Sequence, residues 1–126
     1  MDQATSTANS VIMIMDDSKE LLEVVQLIFE KQGYNAITTT SSIDIAAFVT
    51  SQRIDLLIID VILNGANGRE ICKTLKSDPR TNYFPIILMS ASPEYLFGYR
   101  DCDADDFIEK PFDIRSLFGK VEKLVR

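Results

Sequence analysis

Histidine does not occur anywhere in the chain, which removes every mechanism that would use an imidazole of the protein's own. Basic residues are also in short supply. Thirteen Lys and Arg stand against nineteen Asp and Glu, a formal charge of -6, and a general nucleic-acid binder needs clustered cations to neutralise phosphates. Acidic groups gathered in one place would favour a divalent cation instead. The two cysteines, Cys72 and Cys102, lack paired metal-ligand spacing, so neither a disulfide framework nor a zinc site is expected, and a reducing cytoplasm fits best. No apolar run approaches the roughly 20 residues that a membrane helix needs, so no membrane partner is expected. The first ten residues are polar and lack the basic and apolar regions of a signal peptide. They read as a disordered lead-in, residues 1–10. Nothing resembling a low-complexity linker follows, and 126 residues at 46% hydrophobic suffice for a single core without staples. Residues 11–126 therefore read as one domain.

What is present is an alternation of strands and helices. Ile54-Asp55-Leu56-Leu57-Ile58-Ile59-Asp60 is a branched apolar run bounded by a loop, the pattern of a strand buried on both faces. Asp60 ends it. Val11 to Met15 is a similar run and ends on Asp16-Asp17; Ser18 or Asp17 can cap the helix after it, where Leu21, Val24, Val25 and Ile28 recur at helical spacing and Gly33 is placed to stop it. Tyr34 to Thr40 is a second, weaker strand, and Ser41-Ser42 starts a helix to about Gln52. After the loop Val61 to Gly68, a helix is expected over Arg69 to Ser77, closed by Asp78-Pro79 because the residue before proline avoids helical geometry. Pro85 to Ser90 is a fourth strand. Pro93 to about Asp101 is expected to be a short helix interrupted by Gly98. Asp105 to Glu109 is a fifth strand ahead of Lys110-Pro111, and from Asp113 the residues Ile114, Leu117, Phe118, Val121, Leu124 and Val125 mark an amphipathic final helix. Such alternation makes a parallel sheet covered on both faces.

The strand ends carry the chemistry. Asp is a common turn residue, so Asp60 alone would say little. Parallel strands, however, bring Asp16, Asp17, Asp60, Ser90 and Lys110 to one edge of the sheet, where α/β proteins bind their ligands. Three crowded carboxylates raise one another's pKa unless a cation neutralises them. A hard divalent ion such as Mg²⁺ suits an all-oxygen site. That ion, a hydroxyl and a lysine are what a transferring phosphoryl group needs, and a carboxylate can itself be the nucleophile.

The pieces Val11-Ile12-Met13-Ile14-Met15-Asp16-Asp17-Ser18, Leu57-Ile58-Ile59-Asp60 with Gly68, Ile87-Leu88-Met89-Ser90-Ala91 and Ala104-Asp105-Asp106-Phe107-Ile108-Glu109-Lys110-Pro111-Phe112 together resemble the receiver domains of two-component response regulators. The resemblance implies an α/β, flavodoxin-like, doubly wound five-stranded parallel sheet in the order 2-1-3-4-5 with five helices. It implies Asp60 as phospho-acceptor, Asp16, Asp17, Asp60 and the backbone carbonyl of Ile62 as Mg²⁺ ligands, and Lys110 as the lysine that pairs with Asp60 and then with the phosphate. Ser90 and Phe107 take the switch positions, and the Lys110–Pro111 bond is expected to be cis. The donor would be a phosphohistidine on a histidine kinase or histidine phosphotransfer protein, and the output a contact with a downstream protein. A homodimer through the fourth helix, fifth strand and last helix is a further partner the resemblance allows. Because the chain ends with its last helix, the expectation is a stand-alone regulator or a receiver cut from a longer protein.

Other functions compete. A Mg²⁺-dependent phosphatase with an aspartyl nucleophile would usually carry a second Asp two residues after it, where this chain has Ile62. A degenerate receiver that binds without phosphorylation would not need Asp16, Asp17, Asp60, Ser90 and Lys110 together. Departures from the family pattern are Asn64 where proline is usual, expected to alter loop stiffness without touching the site, and Asp103 in place of glycine, which must turn left-handed. Ile62 and Ser92 flank the acceptor, and Ile62 offers nothing to orient an attacking water. Among Tyr95, Phe97 and Tyr99 at least one is expected in the core, the others being free to form an exposed patch; Cys102 is expected as a small buried residue.

Overall fold

The computed structural model describes residues 10–41 and 45–125. The lead-in up to residue 9 and the start of the second helix at Ser42 lie outside the described residues. Within them the order is β1 (Val11–Met15), α1 (Lys19–Lys31), β2 (Asn35–Thr39), α2 (Ile45–Ser51), β3 (Leu56–Asp60), β4 (Ile62–Leu63), β5 (Ala66–Asn67), α3 (Gly68–Ser77), β6 (Ile86–Ser90), β7 (Asp106–Glu109) and α4 (Ile114–Val125). Strands β2-β1-β3-β6-β7 form one parallel sheet. This is the expected 2-1-3-4-5 order once the small hairpin β4–β5 is left out of the count.

Successive strand side chains point to opposite faces, so the sheet has two cores. Met13, Met15, Leu57, Ile59, Ile86 and Leu88 meet Val49 of α2 and Cys72 and Leu75 of α3. On the other face, Ile12, Ile14, Leu56, Ile58, Ile87 and Met89 meet Leu22, Val25 and Phe29 of α1 and Leu117 and Val121 of α4. Covering both faces buries β3 completely, and each of its four aliphatic side chains contributes about 1.5–3 kcal/mol of apolar burial. Asp60 is carried to the edge at the end of that strand, at 7% exposure.

Two local choices shape the edge. Ser18, not Asp17, caps α1: its hydroxyl accepts from the Leu21 N–H at 3.1 Å, worth about 1 kcal/mol. Asn67 caps α3 by accepting from the Arg69 N–H at 2.8 Å, so the helix begins at Gly68, one residue ahead of the expected start. A Cβ on Gly68 would stand 2.2 Å from the carbonyl oxygen of Asp60. Only glycine lets the helix sit directly on the end of β3.

Among the described residues there are four α-helices rather than five. Between β6 and β7, where a helix over Pro93 to Asp101 was expected, stand two short 3-10 turns, Pro93–Tyr95 and Tyr99–Cys102. Gly98 separates them in a left-handed conformation (φ 68°), which no helix can continue through, and Asp103 closes the second turn at φ 65°. Leu96 fills the core beneath this segment, Tyr99 packs against it, half-buried, and Tyr95 and Phe97 face outward. The Lys110–Pro111 bond is cis. No helix among the described residues is long and apolar enough to cross a membrane.

Candidate functional site

Parallel register lines up the strand ends. Met15 lies beside Ile59, Asp60 beside Met89, and Ser90 beside Glu109, so the residues that follow each strand emerge on one edge. There Lys110 reaches back across the sheet. Its Nζ donates to Asp16 Oδ2 at 2.6 Å and to Asp60 Oδ2 at 2.6 Å. The remaining oxygens are held by backbone donors: Ser18 N–H donates to Asp16 Oδ1 at 2.8 Å and Ile62 N–H to Asp60 Oδ1 at 2.9 Å. Asp16 and Asp60 are thereby fixed in orientation, 1% and 7% exposed.

The electrostatics are unbalanced toward negative charge. Burial pushes the Asp60 carboxyl above its ordinary range; the Lys110 and Ile62 hydrogen bonds and the lysine's charge oppose this, and the neighbouring Asp16 charge adds to it. For Lys110 burial pulls the other way, downward, yet hydrogen bonds to Asp16 and Asp60 and their charges outweigh it and hold the ammonium above its usual value. One lysine therefore serves two carboxylates.

Asp17 stands apart from this triad. It is exposed, and its Oδ1 accepts from the Asn64 N–H at 3.0 Å. Among the described residues no three His, Cys, Asp or Glu side chains are gathered as a ready metal cage. The expectation that Asn64 leaves the site untouched is therefore corrected: proline has no N–H, so Asn64 supplies a donor to Asp17 that the usual residue could not. The hairpin bearing it, Ile62–Leu63 paired with Ala66–Asn67, was missed in the sequence. Its signal was the dipeptide Asn64-Gly65, with Gly65 at φ 72°.

Ser90 is fully buried, and its Oγ accepts from the Ser92 N–H at 3.1 Å. The Ser90 carbonyl accepts from the Lys110 N–H at 2.9 Å, which ties the two loops that flank Asp60. Phe107 lies on the outer side of β7, 37% exposed. Tyr99 lies 5.0 Å from it, centroid to centroid, and Lys120 Nζ stands 5.4 Å from its ring centroid while pairing with Asp106 at 3.0 Å. A cavity of about 380 Å³ lined by Leu21, Ala91, Lys110, Pro111 and Phe112 opens beside the lysine. Cys72 and Cys102 are buried free thiols. Cys72 Sγ donates to the Cys102 carbonyl at 3.3 Å, and burial, then Cys102, push its thiol well above the usual range.

Comparison with known proteins bears on the family and the fold. The family model of the response regulator receiver domain matches residues 12–122. The heme response regulator HssR of Staphylococcus epidermidis is 29% identical over 116 residues, covering 90% of this chain and 50% of that protein; the chain spans about half the length of the curated relatives it matches. Among solved structures, the signal receiver domain of a signal transduction histidine kinase from Syntrophus aciditrophicus is 30% identical with a TM-score of 0.82, over 92% of this chain and 89% of that one. The response regulator protein TrrA of Thermotoga maritima, in complex with Mg(2+)-BeF, is 25% identical with a TM-score of 0.81, over 91% and 98%. The chain belongs to the response regulator receiver domain family, the signalling domains of two-component signal transduction.

Proposed function

We propose that Asp60 accepts a phosphoryl group from a phosphohistidine on a partner histidine kinase or phosphotransfer protein, in a Mg²⁺-dependent transfer. The observation that carries this reading is the Lys110 ammonium shared by Asp16 and Asp60 at the sheet edge. A carboxylate held by one backbone N–H and one lysine keeps a fixed orientation toward an incoming donor, and the same lysine can follow the charge onto the phosphoryl oxygens. This domain has no histidine of its own, in keeping with a phosphohistidine donor outside it. The cavity beside Lys110, apolar at Leu21, Pro111 and Phe112, is a surface against which that donor can rest.

The donor set fits a hard cation. Asp16, Asp60 and the Ile62 carbonyl offer only oxygen, two carboxylates share one ammonium, and Asp17 is held by a single exposed hydrogen bond that can be exchanged. Mg²⁺ bound there would neutralise charge as the phosphoryl group arrives. Ser90 and Phe107 are the switch pair: among the described residues the Ser90 hydroxyl is bonded within its own turn, and the Phe107 ring is partly exposed. The phosphatase reading is weaker, since the residue two past Asp60 is Ile62, whose side chain can neither give nor take a proton. Two free buried thiols suit a reducing compartment, and we place the protein in the cytoplasm.

Autophosphorylated histidine kinases, incubated with the chain and Mg²⁺, test the proposal. At least one should transfer acid-labile phosphate to the wild type and none to Asp60→Asn. Equal uptake by Asp60→Asn would remove Asp60 as acceptor.

A further inference from the structure

Arg69 stands in the first turn of α3, where a cation meets the positive end of the helix dipole and is locally disfavoured. Its tertiary contacts explain the placement. Nη1 donates to the carbonyls of Tyr95 and Phe97, both at 2.9 Å, and Nη2 to the carbonyl of Gly98 at 3.1 Å. Asp101 lies 4.0 Å from Nη2. In a continuous helix these carbonyls would be paired internally; the break at Gly98 takes those of Tyr95 and Phe97 out of helical pairing, the Gly98 carbonyl also accepts from the Asp101 N–H at 2.8 Å, and one planar guanidinium reaches all three.

The other end of this contact is the acceptor strand. Gly68, the residue before Arg69, sits on the Asp60 carbonyl with no room for a Cβ, and its N–H donates to Val61 O at 2.7 Å. A shift at the end of β3 therefore moves the base of Arg69 without slack. The segment it grips carries Tyr95 and Phe97, 43% and 75% exposed.

We propose that Arg69 is a positioning residue, a latch that holds Pro93–Cys102 on α3 and conveys the state of Asp60 to the exposed rings of Tyr95 and Phe97. The transmission half rests on Asp60 being the acceptor; the resting half does not. With the latch closed, the aromatic pair is presented in one arrangement. Release of the three carbonyls loosens the segment ahead of Cys102, where Leu96 and the half-buried Tyr99 remain as core anchors, while Cys102 stays buried with its carbonyl bonded to Cys72.

Hydrogen exchange read by mass spectrometry over residues 91–103 tests this, with Arg69→Gln and the charge-preserving Arg69→Lys, each with and without acetyl phosphate and Mg²⁺. Without donor, Arg69→Gln should exchange about tenfold faster or more in this segment while the β1 and β3 peptides stay protected; Arg69→Lys, lacking the fork, should fall between. With donor, the wild-type segment should change its exchange, and Arg69→Gln should not, although an intact-mass gain shows that it still takes up phosphate. Wild-type protection in resting Arg69→Gln overturns the latch, and an undiminished donor response in that variant overturns transmission through it. Failure of the wild type to gain phosphate overturns the acceptor role of Asp60 and the transmission with it, and the resting comparison alone then decides whether Arg69 holds the segment.

Discussion

Lys110 Nζ and Asp60 Oδ2 lie 2.6 Å apart across fifty residues of sequence, and the same ammonium holds Asp16 at 2.6 Å. The lysine is the sole cation offered to two buried carboxylates in this triad, and its removal exposes their repulsion. Lys110→Ala should cost about 3 kcal/mol of stability, the low end for stripping a buried pair of one partner, since the lysine itself is 21% exposed. Urea unfolding would measure it, and millimolar Mg²⁺ should recover part of the loss by binding the folded form.

Asp60→Asn should act in the opposite direction. The carboxyl's folded value is raised, by burial first, so its contribution to stability is present below the ordinary carboxylate range and is lost as pH rises through the raised value. The amide does not titrate. Its melting temperature should exceed that of the wild type at neutral pH, and the gap should close in acid. A gap that widens in acid would contradict the raised carboxyl.

Asn64→Pro would delete the N–H that holds Asp17. Asp103 is the one described non-glycine residue with positive φ, so Asn64 precedes the left-handed Gly65 without being left-handed itself, a turn position where proline is accepted. Calorimetric titration should show Mg²⁺ binding several-fold tighter in the variant. Unchanged affinity would mean that the bond does not compete for Asp17.

Gly68→Ala would put a methyl 2.2 Å from the Asp60 carbonyl oxygen, where neither the strand nor the helix can yield cheaply. A loss of about 3 kcal/mol is expected, at the upper range for overpacking. A thermal melt and the uptake of acetyl phosphate should both suffer, because the same displacement moves the Asp60 backbone.

Cys72 and Cys102 should resist iodoacetamide at neutral pH in the folded protein and react on addition of urea. Both are buried, and the Cys72 thiol is pushed away from the reactive thiolate by burial and by its neighbour. Rapid labelling of the native chain would show that the Tyr99–Cys102 turn opens readily.

The sequence by itself determined the alternation of strand and helix, because apolar periodicity is set residue by residue and survives without knowledge of partners. Asp16, Asp60, Ser90 and Lys110 were legible for the same reason: each closes or follows an apolar run, and parallel strands leave only one edge for them to share. The rest depends on contacts between distant residues, about which periodicity is silent. The break at Gly98 was visible in the sequence, but its outcome, two 3-10 turns whose flanking carbonyls bond to Arg69 as far as twenty-nine residues away, was not. Likewise, Asn64 read as a matter of loop stiffness until the fold brought its N–H to Asp17, forty-seven residues earlier. Local propensity decides which elements form, and tertiary packing decides which lone pair each donor finds.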